Sequence, residues 1–82
     1  PAYPLVARRQ GLQGRVVLDV EVLDIGLCGQ VNVAQGSGYE VLDNAALNTV
    51  KSWHFAPARR AGRAVTRWFK VPINFSLKDS AA

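Results

Sequence analysis

Residues 65 to 77 read VTRWFKVPINFSL. Val65, Phe69, Val71, Ile73, Phe75 and Leu77 share one parity, interrupted by Arg67; Thr66, Trp68, Lys70, Pro72, Asn74 and Ser76 share the other. A period of two, carried by β-branched and aromatic residues, predicts a long strand with one apolar face. Pro72 then decides where that strand can lie. It has no N–H to give to a ladder, so it does not fit a central strand bonded on both sides. The stretch predicts an edge strand.

The partners of that strand lie upstream. Residues 15 to 23, RVVLDVEVL, alternate in the same way, with Val16, Leu18, Val20 and Val22 on one face and Val17, Asp19, Glu21 and Leu23 on the other. Asp24-Ile25-Gly26 reads as a turn, with Gly26 suited to positive φ. Residues 27 to 34, LCGQVNVA, return as a second strand, with Gly29 marking a bulge. Two strands joined by a tight turn pair as an antiparallel hairpin.

A helix fills most of the stretch from Ser37 to Pro57, SGYEVLDNAALNTVKSWHFAP. Ser37 and Glu40 have the spacing of a capping box, and Asp43 suits the positive end of the helix dipole. Leu42, Ala46, Thr49, Val50 and Trp53 fall on one helical face that can lie on a sheet. Pro57 makes Ala56 favour extended backbone, so the helix is expected to stop near Trp53 or His54. Residues 58 to 64 read as a basic loop around Gly62. At the other end, Pro4 to Gln10 (PLVARRQ) predicts a short helix of about two turns, with Leu5 and Val6 turned inward.

The order follows from these pieces. The first two strands are neighbours, and the third arrives after a helix that crosses the sheet. If the first strand lies between the others, every contact is antiparallel and the third strand is an edge, as Pro72 requires. The predicted fold is α+β: a three-stranded antiparallel sheet of order 2-1-3, a long helix packed on one face, a short N-terminal helix and a right-handed crossover.

Composition sets the limits of function. Eighty-two residues make one domain with a thin core. Apolar residues are 49% and charged residues 20% of the chain, as in ordinary soluble domains. No window approaches a membrane span, and Pro1 and Pro4 stand where a signal peptide would be basic or apolar. The chain does not open with Met and is read as a fragment, with any anchor or address upstream. Cys28, the single cysteine, sets up neither an internal disulfide nor a zinc pattern, and a free thiol counts slightly against an oxidising compartment. The formal charge is +4, and Arg59, Arg60, Arg63 and Arg67 fall close together. Such a cluster suits phosphates, anionic lipid or an acidic protein face, or simply a solvated loop. No nucleic-acid-binding module surrounds it.

Chemistry is sparse. His54 is the only histidine and has no nucleophile pattern beside it. No nucleophile elbow, phosphate loop or dinucleotide fingerprint occurs. Asp19 and Glu21 read as a solvated strand face rather than a catalytic pair. The chain is expected not to be an enzyme and to need no cofactor or metal. What remains is the third strand. Its exposed edge either is merely protected by Lys70 and Pro72, or accepts an extended peptide by strand addition.

Several signals recur together. Tyr3-Pro4, Gly14 before an alternating strand, the turn glycine Gly26, SGYEVLDNAAL, the run Trp53-His54-Phe55-Ala56-Pro57 and the closing VPINFSL cover nearly the whole chain. In this order they resemble the C-terminal domain of the TonB family. The resemblance implies an energy-transducing periplasmic protein of Gram-negative bacteria, with an inner-membrane anchor and a proline-rich linker outside this chain. It implies ExbB and ExbD as partners that harvest the proton gradient. It also implies a grip on the TonB box, the short N-terminal peptide of outer-membrane transporters for siderophores, haem or cobalamin. Carried onto this sequence, the peptide-binding strand is Lys70, Val71, Pro72, Ile73, Asn74, Phe75, Ser76 and Leu77, with Pro1, Tyr3 and Pro4 as secondary contacts. The same edge allows a homodimer. A TolA-like envelope-linking domain and a basic nucleic-acid-binding domain remain the alternative readings.

Overall fold

The computed structural model describes residues 3–77. The elements are α1 (Leu5–Arg9), β1 (Gly14–Val22), β2 (Cys28–Gln35), α2 (Glu40–Lys51), β3 (Ala58–Arg60), β4 (Arg63–Val65) and β5 (Arg67–Phe75). β2, β1 and β5 form one antiparallel sheet in that order. This is the predicted 2-1-3 arrangement, with β5 as the third strand. β3 and β4 form a separate small hairpin.

The alternation in β1 builds the core. Val16, Leu18, Val20 and Val22 are buried beneath α2, which presents Leu42, Ala46 and Val50. Ala46 is small enough to let the helix backbone approach the sheet. Ile73 and Phe75 close the same face at one end of β5, and Ala7 contributes from α1. α2 packs on β1 and β2. The inner face of β5 is buried at Ile73 and Phe75 and partly covered at Val71, whereas Phe69 stays 41% exposed although it shares their parity.

Several local expectations are corrected. In α1, Leu5 and Val6 face outward and Ala7 faces the core. The helix has only five residues, and Ala7 is the one it buries in the core. At the start of α2, Tyr39 is the N-cap residue and makes no side-chain cap bond. Asp43, not Glu40, reaches back: its Oδ1 accepts from the Ser37 N–H at 2.9 Å and from the Ser37 hydroxyl at 2.8 Å. The loop is closed one turn deeper than a capping box would close it. Gly36 makes this possible, since a Cβ there would lie 2.7 Å from an Asp43 oxygen.

α2 ends at Lys51, before Trp53 and His54. Trp53 leaves the buried helical face and packs near Phe55, ring centroids 6.1 Å apart. The chain is drawn off the helix by the β1–β2 turn. The Phe55 N–H donates to the Gly26 carbonyl at 2.8 Å, and His54 bridges Leu27. Gly26 has φ +83°, and a Cβ on it would meet the Phe55 carbonyl oxygen at 2.6 Å.

Residues 58 to 64 are not a loop. Ala61 and Gly62 have φ of 50° and 79°. Two positive φ values in a two-residue connection are what a type I′ turn demands, and its twist matches the flanking strands. The long strand predicted over residues 65 to 77 is correspondingly shorter. Thr66 separates β4 from β5 and accepts the Asp24 N–H at 3.0 Å.

Truncating the core end of β5 tests this packing. Ile73→Ala and Phe75→Ala are each expected to lower stability by roughly 2–5 kcal/mol in urea unfolding. Unchanged midpoints for both would show that these side chains do not lie in the core.

Candidate functional site

The site is built from backbone before side chains. β1 is paired on both sides and β5 on one. The β1–β5 register runs from Gly14↔Phe75 to Val22↔Arg67 without a shift and includes Val17↔Pro72. Pro72 has no N–H, so an unbroken ladder requires its nitrogen to turn away from β1. In an antiparallel strand the N–H and C=O of one residue point to the same side, and the side alternates. The amides of Trp68, Lys70 and Asn74 therefore face the free side. So do the carbonyls of Trp68, Lys70, Pro72 and Asn74. The result is a regular row of donors and acceptors with one donor missing.

The sheet's other edge is different. The β1–β2 register shifts between Val17 and Leu18 and again between Val20 and Val22. Each shift places an extra residue in β2, the second beside Gly29 as predicted. The Gln30 N–H donates to Glu21 Oε1 at 3.0 Å rather than to a strand. Bulges of this kind twist an edge and spoil it as a template. β5 is the regular edge of the two.

Of the predicted strand residues, Lys70, Val71, Pro72, Ile73, Asn74 and Phe75 lie in β5. Ser76 and Leu77 lie beyond its end, where the Leu77 N–H donates to the Gln13 side-chain oxygen at 2.9 Å. Ile73 and Phe75 bury their side chains and offer only backbone. The strand runs from Arg67, so Trp68 and Phe69 also lie on the edge, ahead of the Lys70–Leu77 part that the family resemblance implied. Alternation from Val65 onward had already included them. Trp68 lies on the open face opposite Glu21. Lys70 bonds Asp19 across the strands at 2.7 Å. Both side chains are well exposed, so the pair adds at most about 1 kcal/mol.

Pro1 lies outside the described residues. Tyr3 is tied to the other end of β5. Its hydroxyl donates to the Leu12 carbonyl, and its ring meets Phe75 edge-on at 5.4 Å. The Arg8 guanidinium sits 5.7 Å from the ring centre. Tyr3 therefore helps hold the C-terminal end of β5. With Pro4 it also lines an open groove of about 480 Å³ along Ala45, Asn48, Thr49 and Ser52 of the α2 side.

The charged residues have local structural partners or none. Asp19 pairs with Lys70, Glu21 accepts from Gln30, and His54 is exposed at its bridge to Leu27. Arg60 and Arg63 stand opposite each other in the hairpin, and Arg59 Nη1 donates to the Gly62 carbonyl at 3.1 Å. Among the described residues no group of three or more His, Cys, Asp or Glu could hold a metal, and no helix is long and apolar enough to cross a membrane.

Comparison with known proteins bears on this edge. The family described as Gram-negative bacterial TonB protein C-terminal matches residues 1–77. Protein tonB2 of Pseudomonas aeruginosa is 46% identical over 77 residues, covering 94% of this chain and 28% of that protein. The TonB proteins of Vibrio cholerae and Neisseria gonorrhoeae are 33% and 40% identical, covering 95% and 94% of this chain and 32% and 25% of theirs. The chain thus spans a third or less of each of these relatives. The solution structure of the Helicobacter pylori TonB C-terminal domain superposes with a TM-score of 0.74 at 29% identity, covering 94% of this chain and 80% of that one.

Cys28, at the start of the bulged β2 edge, gives a separate check. Burial pushes its thiol above the ordinary value; the nearby Lys51 cation lowers it, and Glu21 raises it further. The reactive thiolate is therefore scarcer in the folded chain at pH 8 than in a free peptide. Iodoacetamide is expected to alkylate Cys28 more slowly in the native chain than in urea at that pH, and the gap narrows as pH rises past the raised value. Equal rates would contradict the burial.

Proposed function

The chain belongs to the family of Gram-negative bacterial TonB C-terminal domains, and on that premise we propose that it grips the TonB box of outer-membrane transporters by strand addition to β5. In this reading the domain works in the periplasm. A segment outside this chain anchors the protein to the inner membrane, where ExbB and ExbD supply energy from the proton gradient. The cargo is a siderophore, haem or cobalamin.

The observation that carries the reading is the unshifted β1–β5 register, which keeps β5 free of bulges along its length. Backbone pairing suits a transducer. It tolerates different box sequences, because every residue but proline offers the same donor and acceptor. A ladder pulled along its strands also spreads force over several hydrogen bonds. The gap at Pro72 divides the row into a Trp68–Lys70 part and an Asn74 part. The same edge would let two copies pair in competition with the peptide, so peptide is expected to shift any dimer toward monomer in sedimentation.

The test is a titration of isotopically labelled domain with synthetic peptides copying the N-terminal segments of candidate transporters. The amides of Trp68, Lys70 and Asn74 are expected to shift most. Asn74→Pro removes a second donor from the free side without touching the β1 ladder. It should weaken peptide binding by about tenfold, the effect of roughly one lost hydrogen bond, while urea stability changes little. Undiminished affinity in Asn74→Pro, or shifts confined to β2, would rule out β5 as the docking edge.

A further inference from the structure

A cavity of about 290 Å³ lies under the N-terminal half of β5, lined by Val22, Phe55, Ala56, Phe69, Lys70 and Val71. The fold does not need it. α2 covers β1 and β2, and Tyr3 packs against the opposite end of β5 at Phe75. Between these, Phe69 remains 41% exposed although it points to the core side of the sheet. Trp68 and Lys70, the residues on either side of it, turn their amides and carbonyls to the free edge. Whatever covers Phe69 from that edge must satisfy those backbone groups and also bring apolar surface. An extended peptide does both, because its backbone pairs while alternate side chains drop to one face.

We propose that this cavity is a side-chain subsite of the docking edge, which takes one aliphatic or aromatic residue of the added strand beside Phe69 and so fixes its register. The inference rests on the reading of β5 as the docking edge and adds to it the chemistry selected. Cavity size agrees, since about 290 Å³ falls just below the range for small-molecule pockets, roughly 300–1,000 Å³, and suits one large side chain. Geometry agrees as well. Phe69 turns its own backbone toward β1, so it makes no backbone bond to an added strand and meets it through its side chain. The neighbouring positions of the peptide project over the open face beside Trp68 and Lys70. Backbone pairing alone would let a strand slip by two residues at little cost. One filled cavity removes that freedom.

The test uses alanine scans of the same transporter peptides against the labelled domain. One position is expected to dominate, with truncation to alanine raising Kd about tenfold or more, the cost of exposing one large apolar side chain. That position should show intermolecular contacts to Phe69 and Phe55. Phe69→Ala enlarges the subsite and should shift preference there toward Phe or Trp. Ala56→Phe fills it and should flatten the scan while the Trp68, Lys70 and Asn74 amides still respond. Unchanged β1 and α2 amides certify the fold of both variants, and the scan on the natural domain needs neither. A flat scan with the edge amides responding would overturn the subsite and leave edge docking standing. A dominant position insensitive to Ala56→Phe would do the same. Peptides that leave the β5 amides unmoved would overturn both.

Discussion

β1 is paired on both sides, and in a three-stranded sheet that leaves two strands with one open side each. Among the described residues no further strand joins this sheet to close them. Exposed edges invite association with any extended chain, so each must be blunted or used. The rest of the structure follows from how the two are treated. On β2 the chain inserts an extra residue twice and spends the Glu21 carboxylate on the Gln30 amide. On β5 it keeps nine consecutive pairs in register with β1. Only Pro72 interrupts the outer row, and it does so without disturbing the inner one.

The remaining elements hold that edge in place. The valines and leucine of β1 meet α2, which fixes the sheet's curvature and backs its centre. Tyr3 and the buried Phe75 clamp the C-terminal end of β5. The Asp24–Thr66 bond and the Gly26–Phe55 bond gather the β1–β2 turn, the segment after α2 and the entry to β5 at the opposite end. β5 is thus fixed at both ends and along one side while its other side stays open. A strand meant to receive another chain gains from such rigidity, since little further ordering is needed when the partner arrives. α2 packs chiefly on β1 and β2, and Phe69 near the start of β5 stays exposed beside the cavity.

Much of this was legible in the chain. Alternation in residues 15 to 23 and 65 to 77 gave two strands and their buried faces, because period-two burial leaves a direct mark on residue type. Pro72 gave the sheet order, because a missing donor excludes whole topologies. Gly29 marked a bulge. The misses were local. Ser37 and Glu40 had the spacing of a capping box, but Asp43 is the residue that closes the loop. Trp53 fitted the helical period, yet the pull of Gly26 on Phe55 ends the helix first. Arg59 to Arg63 looked like loop by charge, although Ala61-Gly62 makes a tight turn between short strands. Each of these depends on which group wins a particular hydrogen bond, and spacing alone does not rank the competitors.

By itself, then, the sequence determined the three strands of the main sheet, the long helix, the edge position of β5 and the family, since each is recorded in residue type and order along the chain. The tertiary structure alone decided which edge is regular, which amides face outward and where Phe69 is left uncovered. Those features depend on the registers between strands and on how far α2 reaches across the sheet. Both are set by the sum of many small packing contacts between residues far apart in the chain, and no single stretch encodes that sum.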